Sequence, residues 1–241
     1  EKIGGWQRIS VNTFLGVCRS LWNWVTLGSL NLLGVGTNLK FYIESGGVYN
    51  DITPIRNTYT LTNPFTTATS TNTGTTTTVT VTDANGGFIN NDFVAFYANG
   101  ATSVTFNGIT ITTGYEYQIA FVNSTTYKIT VTGTASASSA GGGTIYAVYQ
   151  VNTGPSFAAP LVGWGSSTWG SGTWGIGTAS TDAMRIWNQT NWGEDLVYGP
   201  RGSPLYYWEA GIGGYLYNGD NNHCIPRRSD MQSWTCKQYC N

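Results

Sequence analysis

The chain has 241 residues, a net charge of −1 and only 10% charged residues. That length holds one or two domains with a real hydrophobic core, so disulfides are not needed to support it. Near-neutrality without a basic block excludes electrostatic capture of nucleic acid, which rests on clustered Lys and Arg. Aromatic residues make up 14%, and 32 glycines stand beside long threonine-rich runs. This mixture favours strands and tight turns over helices, so the expected class is all-β.

The N-terminus, EKIGGWQRIS, lacks the basic-then-apolar pattern of a secretion signal, and nowhere do eighteen apolar residues follow one another. No simple membrane-spanning helix is expected, and the chain reads as soluble. A start at Glu1 rather than Met marks a chain that is processed, trimmed or a piece of a longer polypeptide. In the apolar stretch FLGVC, Cys18 reads as a small buried hydrophobe.

From Leu21, LWNWVTLGSLNLLGVGTNLKFYIESGG lies without a gap over IWNQTNWGEDLVYGPRGSPLYYWEAGI, which begins at Ile186. The register pairs Trp22 with Trp187, Gly28 with Gly193, Leu32 with Val197, Gly34 with Gly199, Tyr42 with Tyr207 and Glu44 with Glu209. Each copy parses as a strand ending near the Trp, a Gly-containing turn, a short apolar strand (32–35; 196–198), a second turn and an aromatic strand (39–44; 205–209). Equivalent turns and ladder registers are expected in the two copies. Antiparallel meanders repeated about an axis form a β-propeller with roughly 40–50 residues per blade, and two similar hairpins in a sandwich are the alternative.

DITPIR, residues 51–56, closes the first blade, with Pro54 suited to a strand end. From 57 to 152 the pattern changes to short alternating strands: TVTVT around Val79 and Val81, DFVAF with Phe93 and Val94 facing oppositely, ITIT at Ile109 and Ile111, EYQIAFV, and YKITVT at Ile129 and Val131. This is expected to be an inserted small β-domain, barrel-like or sandwich-like, with 66–78 and TGTASASSAGGG as loops. The expected organisation is 1–56 and 153–219 as propeller-like blades, 57–152 as the insert and 220–241 as an atypical tail. Removing the insert leaves about three blades' worth of sequence, too short for a closed ring. Further sequence or further chains would complete it.

In 163–177, GWGSSTWGSGTWGIG, tryptophans stand five apart, so Trp164, Trp169 and Trp174 cannot share one face of a strand or a helix. The segment reads as a loop whose rings press on a neighbouring subunit, on a sugar or on their own fold.

Taken in succession, GGW, RSLW, LLGVGTNLKFYIESGG and DITPIR, followed by the Trp/Gly segment and GEDLVYGPRGSPLYYW, resemble the tail nozzle or hub proteins of short-tailed bacteriophages. The resemblance spans roughly residues 4–208. It implies β-propeller blades with inserted β-domains, self-association into a ring below the head-to-tail adaptor, and contacts with that adaptor and other tail proteins. It also implies passive passage of DNA without sequence-specific binding, a place in the virion tail and assembly in the host cytoplasm. The alternative function is a carbohydrate-recognising tail or cell-surface module that uses exposed Trp164, Trp169 and Trp174. The insert also resembles the first catalytic-cysteine half-domain of ubiquitin-activating enzymes in shape only, since it has no cysteine for thioester chemistry.

No catalysis, cofactor or metal is expected. The acids Glu44, Asp51, Asp92, Glu116, Asp182, Glu194, Asp195 and Glu209 are scattered, and Glu44 and Glu209 occupy matching repeat positions, which suits a structural role. His223 adjoins Cys224, with Cys236 and Cys240 following, but no C-x-x-C hook is present, and unpaired thiols are expected. GVGTN lacks the Lys-Ser/Thr of a phosphate loop, and the glycosylation-type triplets at Asn123 and Asn188 carry little weight without a secretion signal.

Overall fold

A computed structural model describes residues 5, 10–68, 76–154 and 184–210; segment 163–177 and the tail from 220 lie outside the described residues. Among the described residues all regular structure is β-strand, paired antiparallel, with no helix. The chain forms two compact units, one from the residues up to Thr53 together with those from Thr153, the other Pro54–Asn152.

The first unit begins with β1 (Cys18–Val25), β2 (Asn31–Thr37), β3 (Phe41–Ser45) and β4 (Val48–Asp51), hydrogen-bonded in that order. Sequence explains the turns. Thr37 Oγ1 accepts the N–H groups of Leu39 (3.1 Å) and Lys40 (2.8 Å), closing β2 onto β3. Between β3 and β4, Gly46 and Gly47 both take positive φ (60° and 88°), the pair that a tight two-residue hairpin requires. Glu44 accepts the Gly47 N–H at 2.6 Å.

The second unit contains β5 (Ile55–Thr62), β6 (Phe65–Thr66), β7 (Thr76–Thr82), β8 (Phe93–Tyr97), β9 (Ser103–Phe106), β10 (Ile109–Thr112), β11 (Glu116–Gln118), β12 (Ala120–Asn123), β13 (Thr126–Thr132), β14 (Ala140–Gly141) and β15 (Thr144–Gln150). One sheet runs β11-β8-β15-β5, another β12-β13-β7-β6-β14, and β9 and β10 form a hairpin. Alternation does the sorting. Val79 and Val81 of β7, and Tyr127, Ile129 and Val131 of β13, enter one core with Val94, Phe96, Ile145, Ala147 and Tyr149, while the intervening threonines of β7 and β13 face outward or lie half-buried. Phe93 and Val94 are both buried despite opposite facing: Val94 enters this core, and Phe93 is covered outside it.

This core carries polar groups, and they are paired. The Tyr127 and Tyr149 hydroxyls lie 2.9 Å apart, and the Tyr149 O–H donates to Asp83 Oδ2 at 2.7 Å. Arg56 donates through Nη2 to Asp92 (3.0 Å) and through Nε to the Gln150 carbonyl (3.0 Å), with its guanidinium 5.6 Å from the Tyr149 ring centre. A largely buried ion pair persists only when its remaining hydrogen-bonding capacity is used in this way.

The chain returns to the first unit as β16 (Trp187–Trp192), β17 (Asp195–Pro200) and β18 (Tyr206–Trp208), a second antiparallel meander. It packs against the first. Phe41 stacks on Tyr198 at 4.5 Å and meets Trp187 at 4.8 Å. Trp187 Nε1 donates to the Thr37 carbonyl, and the Tyr198 hydroxyl to the Ile52 carbonyl, each at 2.7 Å. β2 makes room by lacking side chains. A Cβ on Gly36 would stand 2.6 Å from the Trp187 ring, and one on Gly34 would collide with the Gln189 amide.

The two copies share strand order but not register. Trp22 pairs with Gly34, whereas Trp187 pairs with Pro200, one position beyond Gly199. The compensation lies in the turns, 26–30 and 38–40 in the first copy against 193–194 and 201–205 in the second. A slip by one reverses the facing of aligned positions in the middle strands, so Leu32 is buried while the aligned Val197 is not. Trp22 and Trp24 share one face of β1, but Trp22 is 38% exposed and Trp24 is the buried tryptophan, whereas Trp187 is 2% exposed. The expectation of equal registers is therefore corrected.

The buried phenols set an alkaline limit. Burial above all raises Tyr127, Tyr149 and Tyr198 well beyond the ordinary value of 10.0. A phenol whose folded pKa is raised contributes stability that is fully present below the unfolded pKa and is lost as pH rises above it. Phenolate absorbance of these tyrosines should therefore appear together with cooperative unfolding above pH 10.0. Their titration in a protein that stays folded would contradict this. Tyr149→Phe, which strips Asp83 and Tyr127 of a buried partner, should cost about 1–3 kcal/mol in denaturant unfolding.

Candidate interaction surface

Two hairpin ends of the first unit meet at one place. The β1–β2 connection is built rather than slack: the Thr26 N–H donates to the Leu30 carbonyl (3.0 Å), Ser29 N–H to the Thr26 carbonyl (2.9 Å) and Leu30 N–H to Thr26 Oγ1 (3.2 Å). The β16–β17 connection is Gly193, at φ 65°, and Glu194. Trp24 Nε1 donates to the Glu194 carbonyl at 2.7 Å, and the Trp24 ring meets Trp208 edge-on at 6.2 Å. These contacts tie the ends together.

The tied ends present apolar side chains to solvent. Leu27 is 91% exposed and Trp192 74%, with Val25 and Leu30 about half exposed between strand and turn. Apolar exposure gathered on tied hairpin ends marks interaction surfaces. Beside it, Asp195 accepts from the Ala210 N–H (2.9 Å) and from the Tyr207 hydroxyl, whose pKa is pushed up to about 12, first by that hydrogen bond. Asp195 thus shapes the end of β18.

The tryptophans singled out in the sequence, Trp164, Trp169 and Trp174, lie outside the described residues, as do Asp182, His223, Cys224, Cys236 and Cys240. Several of the scattered acids hold local structure. Glu44 closes its hairpin, Asp51 accepts from Thr53 (2.5 Å) and pairs with the buried Lys40 (3.0 Å), Asp92 pairs with Arg56, and Glu116 accepts from Gln150. Among the described residues no three His, Cys, Asp or Glu side chains are grouped to hold a metal. Nor does any helix there have the length and apolarity to cross a membrane.

Cys18 is exposed, not buried. FLGVC is not a core strand. Leu15 and Val17 are exposed too, and the stretch is held through its backbone, with the Val17 N–H donating to Asn38 Oδ1 at 2.7 Å. Sequence reading missed the hairpin ends as a surface, although apolar residues on both sides of a turn glycine, VTLGSLNLL, were the available signal.

Because their side chains are exposed, Leu27→Ser and Trp192→Ser should each change unfolding free energy by no more than about 0.5 kcal/mol. Trp24→Phe, which removes the Glu194 hydrogen bond, should cost about 1 kcal/mol in the same denaturant titration. Comparisons with protein-family models, curated proteins and solved structures give no match.

Proposed function

We propose that the chain is a structural subunit of a multi-copy ring, of the kind found in the tail nozzle or hub of a short-tailed bacteriophage, with no catalytic role. In this reading the two meanders of the first unit are propeller-like blades, and Pro54–Asn152 is an inserted, barrel-like or sandwich-like β-domain serving as a platform for adaptor and other tail proteins. The observation that carries the proposal is the pair of tied hairpin ends bearing exposed Leu27 and Trp192. Apolar side chains carried on a tied backbone cost less ordering on association and suit the centre of a subunit interface. The motif succession noted in the sequence supports the same reading.

Low charge fits the role. A ring that conducts DNA must not hold it, and a chain with net charge −1 and no basic block offers few phosphate contacts to a passing polyanion.

Mass measurement in solution tests the ring. The full-length protein should form a discrete oligomer, and Leu27→Ser combined with Trp192→Ser should weaken its assembly by about 2 kcal/mol or more while the subunit stays folded. A monomer at all concentrations, or an oligomer indifferent to both substitutions, would overturn the proposal.

A further inference from the structure

The second unit contains a groove of about 450 Å³ along the stretch where β11 runs into β12. Its lining includes Asn90, Asn91, Tyr115, Glu116 and Gln118. No Lys or Arg lines it, and apart from Glu116 its polar groups are neutral. That composition disfavours phosphates and other anions, which need positive charge or bare N–H groups, and its wealth of amides disfavours a purely apolar ligand. With the Glu116 carboxylate already accepting from Gln150, the amide-rich lining best suits a neutral, hydroxyl-rich molecule. The geometry points to a carbohydrate subsite, in which Tyr115 offers a ring face to a sugar and the Asn, Gln and Glu side chains exchange hydrogen bonds with its hydroxyls.

The parts are held in advance. Tyr115 is 60% exposed, yet its ring is braced edge-on by Tyr117 at 4.9 Å. Tyr117 is itself anchored, its hydroxyl accepting the Thr112 N–H at 2.9 Å. An aromatic ring fixed in place loses little freedom when it covers the apolar C–H face of a pyranose. On the other wall, residues 90–92 are clamped to the β11–β12 junction: the Asn91 N–H donates to the Ile119 carbonyl (2.9 Å) and the Ile119 N–H to the Asp92 carbonyl (2.7 Å). Asn90 Oδ1 accepts the Phe121 N–H at 3.2 Å, which orients its amide nitrogen as a donor. Gln118 Nε2 reaches Asn91 Oδ1 at 3.4 Å, and Gln150 donates to Glu116, fixing the carboxylate. Amides and a carboxylate supply the donors and acceptors that paired sugar hydroxyls need.

The subsite does not depend on ring assembly, and its test reads a different quantity. The probes are neutral hexasaccharides of glucose, galactose, mannose and N-acetylglucosamine, with a sulfated hexasaccharide as the charged control, titrated against the full chain by calorimetry. At least one neutral probe should bind with millimolar affinity or better. Tyr115→Ala should weaken it by about tenfold or more, Asn90→Ala by a smaller factor, and Tyr115→Phe should retain it because the ring face is kept. Thermal unfolding of each variant confirms that the fold persists. Absence of binding to every neutral probe, equal binding by Tyr115→Ala, or preference for the sulfated probe would overturn the inference.

Discussion

The first unit depends on a strip of missing side chains. Gly34 and Gly36 of β2 leave a channel on one sheet face, and Trp187 and Gln189 of β16 fill it. Close approach brings the Trp187 Nε1–H to the Thr37 carbonyl and gathers Phe41, Trp187 and Tyr198 into one three-ring cluster. One geometric allowance therefore serves both apolar contact and the hydrogen bond of the buried Trp187 Nε1–H, although the Gln189 Oε1 in the same channel is buried without a partner among the described residues. It also joins segments separated by the whole of the second unit, since β2 and β16 flank it in sequence. Glycine is required here for space rather than for turning, because neither residue adopts positive φ.

The second unit solves the same problem with alternation. Threonine outward and valine or isoleucine inward along β7 and β13 give a sheet a buried and a solvated face from very simple sequence. Its interior is nonetheless polar at one point, where Arg56, Asp92, Tyr149, Tyr127 and Asp83 satisfy one another. Such networks give a core a preferred arrangement when every member is paired. A stable scaffold of this kind can carry a surface groove on strand ends and junctions without loss of fold.

Much of the architecture was legible in the residues, and the failures have physical causes. The all-β class followed from threonine, glycine and aromatic content, and the strands at Val79, Ile109 and Ile129 from period-two alternation. The repeat revealed two meanders, but gap-free alignment hid differing turn lengths and so equated middle-strand residues, such as Leu32 and Val197, that face opposite ways. β15 was overlooked because an interior strand, TIYAVYQ, has almost no polar alternation to announce it. Cys18 was misplaced because apolar neighbours suggested burial, while the stretch is held by backbone hydrogen bonds. The groove residues were not legible at all: Asn90 and Asn91 meet Tyr115 and Gln118 only through pairing across β8 and β11.

The close packing of the two meanders is tested most directly by a double-mutant cycle between Gly36→Ala and Trp187→Leu in denaturant unfolding of the full chain, run with Ser20→Ala throughout because the Ser20 hydroxyl would also meet the new methyl. If the Trp187 ring occupies the space above Gly36, Gly36→Ala should cost about 2 kcal/mol or more beside tryptophan and far less beside leucine, a coupling well above that of distant sites. Equal cost in both backgrounds would contradict the stacked arrangement of the sheets.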